Sequence, residues 1–278
     1  MSIKIPVTDR VPTYPGRVVL TPVSGQANTY DMVRADAPRV EGTPVNKMLF
    51  DSKTDRLTAG VTVYVATTGN DSTGDGSSAA PFKTIQKAIN ELPKDLNGNH
   101  AIIDIANGTY NERVTVDGFN GGRLTIGVND RTVIVRGVSV MSSVGVRLNI
   151  SNITYSESYA GTLLYADFGS NVTIIRPLTL RGEAAAVSGI AAARGSMINA
   201  PSMTVALLSC GAAAVLATSG SQILLGTVEG NGNTSYGLRA EMGGMISYAA
   251  KNLTATGGDL TVSGGRIYSG AQSNVPVY

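Results

Sequence analysis

The sequence predicts an all-β solenoid: a coil of short parallel strands with about seven turns, led by a short cap helix and an extended N-terminal arm. Three observations predict it. A glycine phrase recurs seven times, as in "GGRLTIG", "VGVRLNI", "FGSNVTI" and "SGSQILL", with its corner glycine at 121, 145, 169, 195, 220, 243 and 264. A sustained period of 21 to 26 residues with β-rich phrases marks a repeat architecture. Within most periods two further β-forming phrases recur. One is "ITY", "LTL", "MTV", "GTV" or "LTA"; the other precedes the next glycine, as in "TLLYADF" and "AVLATS". That makes about three short strands per turn. Finally, an amphipathic segment stands just before the first turn, where an open coil end would expose strand edges and core.

Each element follows in chain order. Residues 1–60 carry Pro6, Pro12, Pro15, Pro22, Pro38 and Pro44, a density that forbids long helices and central strands. They predict an extended arm that orders against a partner, because "GRVVLTPV" and "NKMLF" are too apolar for a plain linker. Residues 61–100 hold a leading strand, "VTVYVAT", a turn-rich loop, "GNDSTGDGSS", and a helix of three turns at most. Phe82, Ile85, Ile89 and Leu92 share that helix's apolar face, and Pro93 stops it. Residues 101–278 are the coil. Apolar side chains alternate inward and stack turn on turn, and glycine takes corners that need positive φ or leave no room for a Cβ.

Composition narrows the function. The chain of 278 residues is 42% hydrophobic and only 15% charged, with a net charge of +2 and no tryptophan. No Lys/Arg cluster suggests nucleic acid, and no run is long and apolar enough to span a membrane. One cysteine excludes an internal disulfide framework and a multi-cysteine metal site. No apolar signal core follows Met1, which predicts synthesis in the cytoplasm without a secretory leader. Between 184 and 238 the only charges are Arg194 and Glu229, too few for a face fully exposed to water, so a homo-oligomer is expected.

Catalytic signals are sparse. His100 is the single histidine and reads as a loop residue; Cys210 in "LLSCGAAA" reads as a buried structural thiol. The "DSTGDG" loop lacks the dense acidic spacing of calcium loops and reads as a turn. No cofactor and no metal ligand set is expected. Glycosidase chemistry needs two carboxyls about 5–9 Å apart. Aligning "ITY" with "LTL" puts Glu157 and Glu183 after the same strand on adjacent turns, the one pair with that potential. Asp167 and Glu241 share a register but stand three turns apart, too far for that chemistry. Glycan binding would draw on exposed aromatics, for which Tyr155, Tyr159, Tyr165, Tyr236 and Tyr248 are the candidates.

"VYVATTGNDSTGDGSSAAPFKTIQKAINELP" followed by "IDIANGTYNERVTV" resembles the opening of the right-handed parallel β-helix (pectate-lyase-like) superfamily. The resemblance covers about residues 61–275 and implies fold more than activity, since that superfamily includes lyases, hydrolases, esterases, and phage tailspikes and fibres. "YPGRVVLTPVSGQANTYDMVRADAPRVEGTPVNKMLFDSKTD" resembles the N-terminal segment of tail-fibre and baseplate-associated proteins of phages and prophages of Gram-positive bacteria. Together they imply a tail-fibre or tailspike-like protein of the virion tail. Residues 1–60 would dock to a tail or baseplate protein, the column would face the host surface, and the oligomer would be a trimer. A structural receptor-binding role is the expectation. A glycan depolymerase using Glu157 and Glu183, or a plain spacer, are the alternatives.

Overall fold

A computed structural model of the chain describes residues 11–12, 18–22, 30–34, 38–40, 56–128, 131–155, 161–182 and 187–270. The chain divides into two units, Met1–Asp55 and Arg56–Tyr278. In the first, the strands Val18–Pro22 and Tyr30–Arg34 pair antiparallel, as do Val11–Pro12 and Pro38–Val40. The described part of the expected arm therefore carries local two-stranded ladders. Its prolines fall at strand ends or in two-residue ladders, where a missing N–H costs least.

The second unit is a parallel β-solenoid of about seven turns with three faces. On the first face, Val61, Ala101, Leu124, Val146, Val172, Ile198, Ile223, Ile246 and Ile267 stand in one register, each on the next strand. At the usual inter-strand spacing these nine strands stack over about 38 Å. On the second face Tyr110, Val135, Ile153, Leu180 and Leu207 stack in the same way. On the third, Val114, Val138, Leu164, Ile190, Val215 and Leu238 form one inward column, and Val116, Val140, Ala166, Ala192, Ala217 and Ala240 another. Nearly all these side chains are fully buried. The strand period of two sends alternate residues inward, and the parallel register of successive strands brings like residues into contact.

The helix is Ile85–Glu91, two turns long and shorter than the sequence pattern suggests. Phe82 lies outside it, because its backbone is bridged to Val65 of the strand Val61–Val65. Three side chains hold the helix start. Asp71 accepts from the backbone N–H of Lys83 (2.8 Å) and Thr84 (3.0 Å) and from the Thr84 hydroxyl. Thr84 accepts from Lys87 N–H, and Glu112 accepts from the N–H groups of Ile85 and Gln86. These satisfy donors that a helix start leaves open. Ile85, Ala88 and Ile89 are fully buried and face the first turn, while Leu92 is already extended ahead of Pro93. The "DSTGDG" loop thus does structural work: Asp71 caps the helix and Asp75 accepts from Ser77 N–H in a turn.

His100 opens the strand His100–Ile105 rather than sitting in a loop, and its Nε2 lies 2.8 Å from the Thr125 hydroxyl. Partial burial, then Arg123 and Arg147, lower its pKa. Cys210 is fully buried, and burial pushes its thiol up to about 12, which leaves it protonated and unreactive.

Candidate functional site

The corner between the third and first faces explains the glycine phrase. At Phe168–Gly169, Arg194–Gly195, Ser219–Gly220, Met242–Gly243 and Ser263–Gly264 both residues have positive φ, between 48° and 78°. A backbone bond closes each turn: Ser170 N–H donates to Asp167 O, Ser196 to Ala193, Ser221 to Thr218, Gly244 to Glu241 and Gly265 to Val262. These are the features of type I′ turns, which demand φ > 0 at both central residues. Successive turns are then laddered, since Gly169 N–H donates to Arg194 O, Gly195 to Ser219, Gly220 to Met242 and Gly243 to Ser263. With the backbone fixed this way, the residue before the glycine is the one free choice at each turn.

Burial constrains the serines of this corner. Ser170, Ser196 and Ser221, each after a corner glycine, and Ser143, after Ser142, are all but inaccessible and form a ladder. Phe119 N–H donates to Ser143 Oγ, Ser143 N–H to Ser170 Oγ, Ser170 N–H to Ser196 Oγ and Ser196 N–H to Ser221 Oγ, at 3.0–3.3 Å. The ladder ends at Gly244, where an added Cβ would sit 2.2 Å from Ala217 O.

The free choices at this corner are conspicuous. Among the described residues, the exposed large apolar side chains are Val144 (44%), Phe168 (53%), Met242 (57%) and Val262 (42%). Val144, Phe168 and Met242 each precede a corner glycine, although Val144 lacks the positive φ of the other two, and Val262 lies within the last of these turns. They fall in two groups along the column, Val144 with Phe168 and Met242 with Val262, with Arg194 and Ser219 on the turns between.

Phe168 has a built support. Asp167, its side chain 2% exposed, accepts from Arg194 Nε at 2.7 Å and from Arg194 Nη2, a bidentate pair. Its Oδ2 also accepts from the Tyr165 hydroxyl (2.7 Å), and its Oδ1 from Phe168 N–H (2.8 Å). The Arg194 hydrogen bonds, with help from Tyr165 and Phe168, hold the Asp167 carboxyl down at about 2. The Arg194 guanidinium lies over the Phe168 ring, 3.8 Å from its centre. A carboxylate locked as an anion by a bidentate arginine neither gives nor takes a proton near neutral pH. Its chemistry is positioning, and what it positions is an exposed aromatic ring.

The glycan-binding candidates scatter. Tyr165 supports Asp167 from the third face. Tyr236 is half-buried, with Arg239 5.5 Å from its ring centre. Tyr248 packs against the core. Tyr155 ends the strand Asn152–Tyr155 and pairs with Gly182; its side chain, like Tyr159, Glu157 and Glu183, lies outside the described residues. The register places the strands leading to Glu157 and Glu183 side by side on adjacent turns. Sequence reasoning passed over Phe168 and the Asp167–Arg194 pair. The signals that could have found them were an aromatic in a glycine corner and a lone arginine in a nearly chargeless stretch.

A family model described as a protein of unknown function (DUF1565), a family associated with β-helix proteins, matches residues 67–119. That stretch spans the loop, the helix and the first turn of the coil. No curated protein and no solved structure gives a match.

Proposed function

We propose that the chain is a structural, receptor-binding tail-fibre protein of a phage or phage-like tail. Residues 1–60 dock to a tail or baseplate protein, and the solenoid projects as a rigid column toward the host surface. The observation that carries a binding role is the exposed Phe168 ring, braced by Asp167, Arg194 and Tyr165, with Val144, Met242 and Val262 the other exposed large apolar side chains among the described residues. The resemblance of residues 14–55 to tail-fibre N-terminal segments supplies the setting.

A homotrimer fits the first face. Its strands from Asn171–Ile174 to Tyr248 carry no charged residue, and Thr173, Asn199, Leu224 and Ser247 stand in one register there. In a symmetric assembly, residues near the axis meet their own copies, so a chargeless face avoids like-charge contact. Fluorescently labelled full-length protein tests the reading by binding to host cells; absence of binding to any cell the phage infects sinks it.

The second reading, a glycan depolymerase, is favoured by one observation, the adjacent strands that lead to Glu157 and Glu183. Release of reducing sugars or unsaturated products from host polysaccharide by full-length protein separates the two.

A further inference from the structure

Resting on the host-facing reading above, we propose that Phe168 is a stacking platform for one sugar ring of a host-surface glycan, with outward N–H groups of Arg194 donating to its hydroxyls. Phe168 sits at φ 53°. For a bulky side chain this left-handed backbone is a true outlier that costs free energy and collects at functional sites. The same turn position on the other turns holds Arg194, Ser219, Met242 and Ser263, so Phe168 is the one aromatic among them. At 53% exposed, the phenylalanine stays outside the core and packs on Arg194 instead.

What surrounds the ring prepares it for a ligand. Arg194 covers one face at 3.8 Å, so the exposure belongs to the opposite face and the edge. Asp167 takes only two of the guanidinium's five donors, and the Arg194 side chain is 55% exposed. Aromatic face, fixed hydrogen-bond donors and little freedom left to lose make a small preorganised site. The C–H face of a pyranose ring matches the aromatic surface, and its hydroxyls match the donors. The Asp167 anion offsets the Arg194 charge, which favours a neutral sugar over an acidic one. Val144 extends the apolar surface one turn earlier, and exposed Asn171 adds a polar neighbour. One ring and one arginine fall far short of the roughly 800 Å² per partner that a stable protein interface buries.

The test uses full-length protein with ¹³C-labelled phenylalanine. Methyl glycosides of glucose, galactose, rhamnose and N-acetylglucosamine are titrated to about 20 mM, above the millimolar Kd of a single stacking contact. The Phe168 ring signals are expected to shift with at least one sugar, while those of buried Phe82 and Phe119 stay fixed. Phe168→Ala should weaken binding at least about tenfold, and Arg194→Lys, which loses the bidentate fork, about threefold. Both residues lie on the surface, so the fold should survive. No Phe168 shift with any of the four sugars overturns the proposal, as does unchanged affinity in Phe168→Ala. A shift with a host-envelope protein fraction but no sugar overturns it in favour of a protein partner. Cell binding by the same protein is scored separately. Sugar binding without cell binding sinks the host-facing reading alone, and cell binding without sugar binding sinks this site alone.

Discussion

The Gln86 side chain pairs with Thr115 as a neighbouring strand would. Its Oε1 accepts from Thr115 N–H at 2.7 Å, and its Nε2 donates to Thr115 O at 3.0 Å. Among the described residues, the strand Gly108–Asp117 has a registered strand partner on one side only, Val133–Met141. One amide thus closes part of the edge that the first turn leaves open, where another chain would otherwise pair. Gln86→Ala should cost about 1–3 kcal/mol, because it leaves a partly buried donor and acceptor unmet. Thermal unfolding checks the stability, and light scattering checks for new edge-to-edge association. An unchanged melting temperature would show that water replaces the amide at no cost.

The serine ladder makes a sharper prediction. Ser170→Ala removes the acceptor for Ser143 N–H, in a residue that is 1% exposed. A buried N–H without a partner costs about 1–3 kcal/mol. Ser219→Ala, at an outward turn position, should cost much less. Denaturant unfolding of the two variants should therefore differ in midpoint, with Ser170→Ala the lower.

Acid should loosen the Phe168 corner. The Asp167 carboxyl is held down at about 2 from a reference of 3.8, chiefly by Arg194. A depressed carboxylate stabilises the fold above its unfolded pKa, and that stabilisation is lost as pH falls through the folded value. The window is pH 4 down to about 2, and the amount is about 2 kcal/mol. Asp167→Asn should be less stable than the parent at pH 7 and converge on it below pH 2. Equal pH dependence of the two proteins would refute the pairing.

The chargeless stretch of the first face, over residues 171–174, 197–200, 222–225 and 245–248, predicts assembly. Full-length protein at micromolar concentration should scatter light as three times the 28.7 kDa chain. A monomer at that concentration removes the trimer.

The repeat was legible because a type I′ turn accepts few residues besides glycine at its second centre, so five successive corners wrote the same letter. The cap helix was legible from Ile85, Ile89 and Leu92, but Phe82 falls on the same period while its backbone belongs to a bridge with Val65. Periodicity alone does not separate those states. The ladder from Ser143 to Ser221 was hidden because serine beside a glycine corner reads as an ordinary turn residue. Asp167 reads in the sequence as sharing a register with Glu241, yet its partner is Arg194 on the next turn. That pairing comes from the stacking of turns, and no local pattern announces it. Tyr165 reads in the sequence as an exposed aromatic; its hydroxyl instead holds Asp167, the carboxylate that braces Phe168.

The central claim is that residues 1–60 fix the chain to a tail while the column faces outward. Cryo-electron microscopy of intact particles that carry the full-length chain tests it directly. The account predicts density for residues 1–60 against a tail or baseplate protein, with the solenoid projecting away and its Phe168 edge free of the tail. A solenoid lying along the tail through its own faces, with residues 1–60 making no contact there, would contradict it.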